Sequence, residues 1–252
     1  MPVIDEMTGK GAPEWPYPVK YGKENELSAD VLVIGGGIAG CHAAINAAKK
    51  GMKVIVLEKG ATVHSGCSGA GVDHWGAAYT NPACTSDLEK AAESSARRRS
   101  YVNGMLSYIT MRESFDALLD CEQWGMKFRD EDDELAGSPM RDEKSKIMFA
   151  YDYTTRVNIR VNNGAKVKPV LYRELLRLGV KVLDRVMVTG LLTEGGKAGA
   201  RVIGAMGVNV RTGEFYTVNA KATILSAAQY SGIWVFNTEL AGSAVHLDCP
   251  NN

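Results

Sequence analysis

The sequence predicts an α/β fold with a parallel sheet, a helical insertion and an antiparallel β-meander. Three observations carry this prediction: a strand, glycine turn, helix and strand fill residues 30–58, apolar residues at helical spacing fill 87–123, and short strand-like runs fill 180–225. Alternating strands and helices are typical of a parallel sheet, whereas strands joined by a tight turn are typical of an antiparallel one. The opening unit makes the predicted domain Rossmann-like.

The first segment of the chain is predicted to be an arm. Residues 1–28 carry four prolines, two of them in Trp15-Pro-Tyr-Pro18, and this composition favours an extended N-terminal arm over a helix. The remaining residues, 29–252, are predicted to form one nucleotide-binding domain.

The glycine turn that follows has the spacing of a dinucleotide-binding site. An apolar strand leads into Gly35, Gly37 and Gly40. Gly35 permits a sharp turn, Gly37 permits a pyrophosphate to approach the backbone, and Gly40 permits the next helix to pack closely on the sheet. Glu58 ends the second strand eighteen residues beyond Gly40, where its carboxylate can accept hydrogen bonds from a ribose. The alternative is a glycine-rich turn in an ordinary α/β protein.

The rest of the chain alternates between helical and strand-like patterns. Residues 64–73, His64-Ser-Gly-Cys-Ser-Gly-Ala-Gly-Val-Asp73, are rich in residues that expose backbone amides and can wrap a large flat ligand. Two helices are predicted within 87–123, ending at Trp124-Gly125, and another is predicted over 170–178 with Gly179 as its C-cap. Five strands are predicted over 180–183, 186–193, 201–208, 214–218 and 222–225, with a hairpin turn at 211–214.

Composition excludes several classes of function. Lysine plus arginine and aspartate plus glutamate both number 29, so no net charge attracts nucleic acid or an anionic membrane. The five cysteines show no CxxC and no paired zinc spacing, so no metal site is predicted. Met1 to Lys10 lack an apolar signal core and the chain lacks a long unbroken apolar run, so we expect no direct membrane span and a cytoplasmic protein.

The sequence resembles flavoproteins of the succinate dehydrogenase and fumarate reductase type, which include L-aspartate oxidase and the α subunit of adenylylsulfate reductase. The resemblance runs through most of the chain. It is carried by the glycine fingerprint at 30–40, by Glu58-Lys-Gly60, by the small-residue segment 65–72, by Trp124-Gly-Met-Lys-Phe128 and by the run 204–213. The run 204–210 and its flanks lean toward the adenylylsulfate reductase branch.

The resemblance implies an FAD-binding domain and a set of cofactor-binding residues. The FAD diphosphate would lie over the glycine turn, the adenosine ribose on Glu58, and the isoalloxazine near residues 68–73. The backbone of Met187 would meet the adenine. The cofactor-binding residues implied in this way are Gly35, Gly37, Ile38, Ala39, Gly40, Glu58, Lys59, His64, Ser65, Ser68, Gly69, Ala70, Gly71, Val72, Asp73, Met187, Ser226 and Ala227.

Two histidines are candidates for chemistry near the flavin. His64 falls where many members of the family carry a histidine bonded covalently to the flavin; the alternative is a polar surface residue. His74 falls near the expected flavin edge and could donate a proton or a hydrogen bond to substrate as a catalytic residue. The alternative for His74 is a histidine packed on Trp75.

Two departures from the family limit what the resemblance implies. The strand that ends at Leu225 continues as Ser226-Ala-Ala-Gln229, where family members usually have an Ala-Thr-Gly-Gly-like turn. The chain also stops at residue 252, about where relatives continue into capping and helical domains. We therefore expect an FAD-binding domain that is incomplete relative to the family.

Two functions follow from these features. The first is an FAD-dependent oxidoreductase that transfers electrons between its flavin and a small organic acid or an oxyanion. Because the chain shows no cluster cysteines, electrons would pass to an iron–sulfur or other electron-transfer subunit. The second is a truncated or split FAD-binding subunit without catalysis of its own. A nicotinamide dehydrogenase fits less well, because a third βα unit does not follow Glu58.

Overall fold

The computed structural model describes residues 15–98 and 103–228. Helices and strands follow one another in the order β1 (Glu24–Ile34), α1 (Ile38–Lys49), β2 (Val54–Glu58), β3 (His74–Trp75), α2 (Leu88–Arg98), α3 (Gly104–Gln123), β4 (Ile159–Arg160), α4 (Val167–Arg177), β5 (Lys181–Asp184), β6 (Val186–Thr193), β7 (Val202–Asn209) and β8 (Phe215–Leu225). Short 3₁₀ turns occupy Gly164–Lys166 and Glu194–Gly196. Within these residues, no helix has both the length and the apolar composition needed to cross a membrane.

One six-stranded sheet, in the order β5-β2-β1-β8-β7-β6, organises the domain. The pairs β5-β2, β2-β1 and β1-β8 are parallel, and the pairs β8-β7 and β7-β6 are antiparallel. β8 therefore belongs to both halves: it is the last strand of the parallel half and the first strand of the antiparallel meander. This arrangement confirms the predicted parallel sheet with an antiparallel meander.

The sheet folds back on itself at Arg185. This residue alone separates β5 from β6, yet these two strands are the outermost strands of the sheet. The φ angle of Arg185 is +65°, its N–H donates to the Gly60 carbonyl at 2.9 Å, and its carbonyl accepts from the Val210 N–H at 2.8 Å. The meander consequently covers one face of the parallel strands.

A hydrophobic core fills each face of the parallel strands. Successive side chains of a strand point to opposite faces, so β1 sends Leu32 and Ile34 toward the meander and Val33 toward the helices. The core under the meander contains Leu32, Ile34, Ile55, Leu57, Val186, Ala205 and Val218. The core on the helical side includes Val33, Val56, Cys41, Ile45, Leu171 and Leu175, and it continues into the insertion through Phe115, Leu118, Phe128 and Phe149.

The predicted helices and strands match the structure with three differences. The two predicted helices of the insertion, the break after Gln123 and the cap at Gly179, with its φ of +73°, are all present. The strands predicted over 214–218 and 222–225 form one continuous strand, β8. The polar residues between them interrupt the apolar pattern of the sequence but pair with polar residues of β1. Asn219 Nδ2 donates to Glu26 Oε1 at 3.0 Å, and Lys221 Nζ lies 2.6 Å from Asp30 Oδ1.

The other two differences concern pairing between distant segments. β1 begins at Glu24, so residues 24–28, predicted as part of the arm, lie in the sheet opposite β8. The two-residue strands β3 and β4 pair antiparallel, and their pairing was not predicted because neither is long enough to show a period in the sequence. The described part of the arm lies on the β7–β8 turn, where Trp15 Nε1 donates to the Arg211 carbonyl at 2.8 Å.

Candidate functional site

A cavity of about 430 Å³ lies at the carboxyl ends of β1 and β2. Its volume is within the range of small-molecule sites, roughly 300–1,000 Å³. The walls come from five segments of chain: the β1–α1 turn, the end of β2, residues 66–68, the start of β6 and the residues after β8. The lining residues are Ile34, Gly35, Gly37, Ile38, Ala39, Leu57, Glu58, Lys59, Gly66, Cys67, Ser68, Val186, Met187, Val188, Ser226, Ala227 and Ala228.

In the glycine turn between β1 and α1, Gly35 and Gly40 are packed against protein backbone too closely for a side chain. Gly35 has a φ of +97°, and a Cβ atom there would lie 2.4 Å from the Ser226 carbonyl oxygen. A Cβ atom at Gly40 would lie 1.8 Å from the Gly35 carbonyl oxygen. Gly40 does not line the cavity; it lies beneath the turn and lets α1 approach it, which is the packing role predicted for it.

The first turn of α1 presents unpaired amides to the cavity. Gly37 is the N-cap residue, its position has no side-chain cap, and no acidic residue lies in the first turn. The N–H groups of Ile38 and Ala39 therefore have no partner within the helix, and both residues line the cavity. A helix N-terminus of this kind attracts a phosphate through its amides and the helix dipole.

Glu58 closes the cavity at the end of β2. It is 4% exposed, and its two carboxylate oxygens accept the Gly36 N–H and the Gly60 N–H, each at 2.6 Å. These bonds fix the carboxylate in one orientation beside the glycine turn. Because each carboxylate oxygen can accept a second hydrogen bond, the group can also hold a ribose hydroxyl.

The segment after β2 is anchored at two points before it reaches the cavity. The Thr62 N–H and hydroxyl both donate to Asp184 Oδ1, at 2.8 and 2.7 Å, and the Ser65 hydroxyl donates to the Gly36 carbonyl at 3.1 Å. Residues 66–68 then pass along the glycine turn, where a Cβ atom at Gly66 would lie 3.0 Å from the Gly37 Cα. The two loops thus form adjoining walls of the cavity.

The structure brings ten of the predicted cofactor residues to this cavity. They are Gly35, Gly37, Ile38, Ala39, Glu58, Lys59, Ser68, Met187, Ser226 and Ala227. Those that do not line it, apart from Gly40, are His64, Ser65, Gly69, Ala70, Gly71, Val72 and Asp73. Their part in flavin binding stays a prediction.

Backbone packing explains why the second half of the small-residue segment turns away from the cavity. A Cβ atom at Gly69 would lie 1.8 Å from the His64 carbonyl oxygen, and one at Gly71 would lie 3.0 Å from the Ala165 nitrogen. On the other side, a Cβ atom at Gly164 would lie 1.6 Å from the Val72 carbonyl oxygen. These glycines bring protein backbone against protein backbone, so a glycine-rich sequence alone does not identify a ligand surface.

Neither candidate histidine lines the cavity. His64 is exposed, and its backbone N–H donates to the Ala61 carbonyl at 2.8 Å, so a covalent flavin bond there stays a prediction. His74 is exposed as well: its Nδ1 lies 2.7 Å from Asp73 Oδ1, and its ring meets the edge of Tyr151 with centroids 5.0 Å apart. The hydrogen bond from His74 holds the pKa of the Asp73 carboxyl below its usual value.

A second cavity, of about 320 Å³, lies beside His74. It is lined by Asp73, Phe149, Ala150, Tyr151, Tyr153, Arg160 and Val161, and it shares no lining residue with the first. Trp75 points the other way: its Nε1 donates to the Ser114 carbonyl at 2.9 Å and its ring packs on Phe128. The ring contact of His74 is therefore with Tyr151 rather than with Trp75, and its catalytic role stays a prediction.

Several lining residues were not predicted from the sequence. Ile34 and Leu57 adjoin predicted residues, and Val186 and Val188 flank the predicted Met187. Gly66 and Cys67 lie within the small-residue segment but were not singled out. Ala228 has a φ of +69°, a conformation that usually requires glycine, and it follows Leu225 where the family usually has a glycine-containing turn. This departure from the family's glycine-containing turn was the one sequence feature that could have indicated a role for Ala228 in the cavity.

Comparison with known proteins agrees with this geometry. A family model described as an FAD binding domain matches residues 30–251. A subunit of the fumarate reductase (CoM/CoB) from Methanothermobacter marburgensis is 32% identical over 208 residues, which cover 81% of this chain and 36% of that protein. The chain thus spans about a third of the length of this relative.

Solved structures show the same fold. Adenylylsulfate reductase from Archaeoglobus fulgidus superposes with a TM-score of 0.66 at 23% identity, covering 86% of this chain and 33% of that chain. The Mycobacterium smegmatis Sdh1 complex superposes with a TM-score of 0.63 at 21% identity, covering 82% of this chain and 35% of that chain.

The residues of the first cavity fit FAD. A diphosphate fits the open amides of α1, a ribose fits the Glu58 carboxylate, and the close packing at Gly35 and Gly40 is what a fingerprint turn requires. The matched region covers the glycine turn, Glu58 and the meander alike. The chain therefore belongs to the FAD-binding domain family.

Proposed function

We propose that this chain forms the FAD-binding part of an oxidoreductase that transfers electrons between its flavin and a small organic acid or an oxyanion. The observation that carries the proposal is the cavity in which the open amides of α1 lie beside the buried Glu58. When bound, FAD supplies the hydride or electron transfer. Relatives named fumarate reductase and adenylylsulfate reductase support the two substrate classes.

The residues of the cavity would bind and orient the cofactor. The amides of Ile38 and Ala39 would donate to the diphosphate, and the Glu58 carboxylate would accept from the adenosine ribose. Leu57, Val186 and Val188 give the cavity apolar walls, which suit the adenine ring and limit the access of water to it.

His74 is the residue that we propose for proton transfer to substrate. Its pairing with Asp73 fixes the orientation of the ring, and both groups are open to solvent. A histidine held by a carboxylate can act as a general acid or a general base. The adjacent cavity, with Arg160 on its wall, offers a positive charge to an anionic substrate.

We also propose that the protein works with an electron-transfer partner, an iron–sulfur or other electron-transfer subunit. The M. marburgensis relative is named as one subunit of its enzyme, which supports an enzyme built from several chains.

Anaerobic assays of the purified protein test this function. We expect a flavin absorption spectrum, tight rebinding of FAD to the stripped protein, and oxidation of a reduced viologen dye by fumarate or by adenylylsulfate. Turnover with one of the two substrates identifies the substrate class. FAD binding without turnover favours the alternative, an FAD-binding subunit whose catalysis depends on another chain. A folded protein that binds no FAD contradicts both.

A further inference from the structure

A lysine ammonium is buried directly behind the glycine turn. Lys168, in the first turn of α4, is 0% exposed. Its Nζ donates a hydrogen bond to the Gly36 carbonyl and lies 3.2 Å from Cys41 Sγ. Lysine is almost never fully buried unless it is paired with an opposite charge, and among the described residues Lys168 forms no ion pair with a carboxylate.

Both backbone polar groups of Gly36 are held by hydrogen bonds. Its N–H donates to Glu58 Oε2, while its carbonyl accepts from the Lys168 ammonium, the Ser65 hydroxyl at 3.1 Å and the Cys41 thiol at 3.3 Å. Three donors on one carbonyl keep that oxygen turned away from the cavity and toward α4. The amides that follow in the chain, at the start of α1, are thereby left facing the cavity.

The charges around this turn favour a buried cation behind the site of an anionic ligand. Glu58, on the cavity wall, and Asp184, behind the loop after β2, are carboxylates that act on the Cys41 thiol. Burial raises the pKa of Cys41, and Lys168 opposes that shift. The other charged residue among the described lining of the cavity is Lys59, which is exposed. A diphosphate would therefore enter beside the Glu58 carboxylate, with Asp184 further back and Lys168 as the buried positive charge.

We infer that Lys168 is a positioning residue for the cofactor diphosphate, acting from behind the Gly36 peptide as a buried countercharge and as the anchor of its carbonyl. Burying an unpaired ammonium is unfavourable, and a nearby diphosphate offsets this cost. The inference concerns binding of the diphosphate and is independent of the substrate and of the electron-transfer partner.

Comparing ADP with adenosine tests the inference, because these ligands differ in the diphosphate alone. We expect Lys168→Gln, which can still donate to the Gly36 carbonyl, and Lys168→Met, which cannot, to weaken ADP binding at least tenfold while adenosine binding changes less than twofold. The matched control is Lys166→Met, which removes an exposed charge two residues away and should leave both affinities unchanged.

Three results would overturn the inference. One is wild-type affinity for ADP in Lys168→Gln, and another is an equal loss of ADP and adenosine binding, which indicates a structural role only. The third is a wild-type protein that binds adenosine as tightly as ADP.

A measurement on the wild-type protein covers the case in which neither variant folds. With ¹⁵N-labelled lysine, ADP should shift the Lys168 ammonium resonance and adenosine should not. The same shift with both ligands, or no shift with ADP, contradicts the inference.

Discussion

At the scale of single residues, Gly37 and Gly40 are needed in the β1–α1 turn for different structural reasons. Gly37 has an ordinary φ of −65°, and a Cβ atom there would lie 3.9 Å from the Gly66 Cα. A side chain at position 37 can therefore be accommodated by the protein, although it occupies the cavity. A side chain at position 40 meets the Gly35 carbonyl at 1.8 Å and displaces the turn itself.

This contrast predicts two different phenotypes. Gly37→Val should weaken FAD binding by at least tenfold, about 1.4 kcal/mol, and leave the thermal midpoint of the FAD-free protein within about 3 °C of wild type. Gly40→Ala should lower both the affinity and the midpoint. Calorimetric titration with FAD and thermal unfolding measure the two quantities. Wild-type FAD affinity in Gly37→Val would refute the placement of the diphosphate.

A half-buried histidine gives the protein a pH-dependent stability. The His42 ring lies between Trp75 and Trp124, with centroids at 6.3 and 5.5 Å, and its Nε2 lies 3.6 Å from Cys121 Sγ. Burial lowers the pKa of His42 below its ordinary value of 6.5. The unfolded chain therefore binds a proton more readily than the folded chain. The contribution of His42 is fully present above pH 6.5 and is lost as the pH falls through the folded-state pKa.

Urea unfolding at pH 7.5 and pH 5.5 measures this contribution. We expect the free energy of unfolding of the wild-type protein to fall between these pH values, by at most about 1.4 kcal/mol per pH unit for a single group. His42→Phe should fall less steeply, whereas His64→Asn, at an exposed position, should follow wild type. An unchanged slope in His42→Phe would show that another group is responsible.

At the scale of helices and strands, the features that could be predicted from the sequence are those set by residues close together in the chain. The spacing of Gly35, Gly37 and Gly40 and the position of Glu58 could be predicted because one continuous βαβ unit contains all four. The walls formed by Gly66, Val186 and Ala228 depend on how distant segments meet after the sheet folds back at Arg185. No local sequence pattern determines which distant segments come into contact. The apolar half of the cavity could therefore not be predicted from the spacing of residues along the chain.

The link between the loop after β2 and the end of β5 gives a prediction at this scale. Thr62 is fully buried and donates twice to Asp184. Thr62→Val removes the hydroxyl bond and should cost about 1–2 kcal/mol of stability. It should also loosen residues 66–68 and speed alkylation of Cys67, which is exposed on the cavity wall.

Thr189→Val makes the same chemical change at an exposed position, where the hydroxyl lies 3.5 Å from the Met206 carbonyl. Denaturant titration and timed iodoacetamide labelling should therefore show little change in this control. Equal effects of the two substitutions would mean that the Thr62–Asp184 link does not hold the loop.

At the scale of the whole molecule, the cavity joins residues from both ends of the described chain. A ligand that binds there contacts β1, β2, β6 and the residues after β8 at once, and so it binds the folded state alone. FAD at about 100 times its Kd should then stabilise the fold by roughly 2.7 kcal/mol. For a chain of this size the thermal midpoint should rise by roughly 5–10 °C. A midpoint that does not move with FAD concentration would contradict the site.

The pairing of β1 with β8 also sets the order of events during synthesis. Ile34 pairs with Leu225, so the central parallel pair cannot form until the ribosome has delivered almost the whole described chain. At about 5–20 residues per second, β1 waits on the order of ten to forty seconds for its partner. Throughout that time the backbone N–H and C=O groups on the β8 side of β1 are open to pairing with other chains. The nascent protein therefore depends on shielding of this strand until β8 emerges, and the cofactor can enter only after that moment.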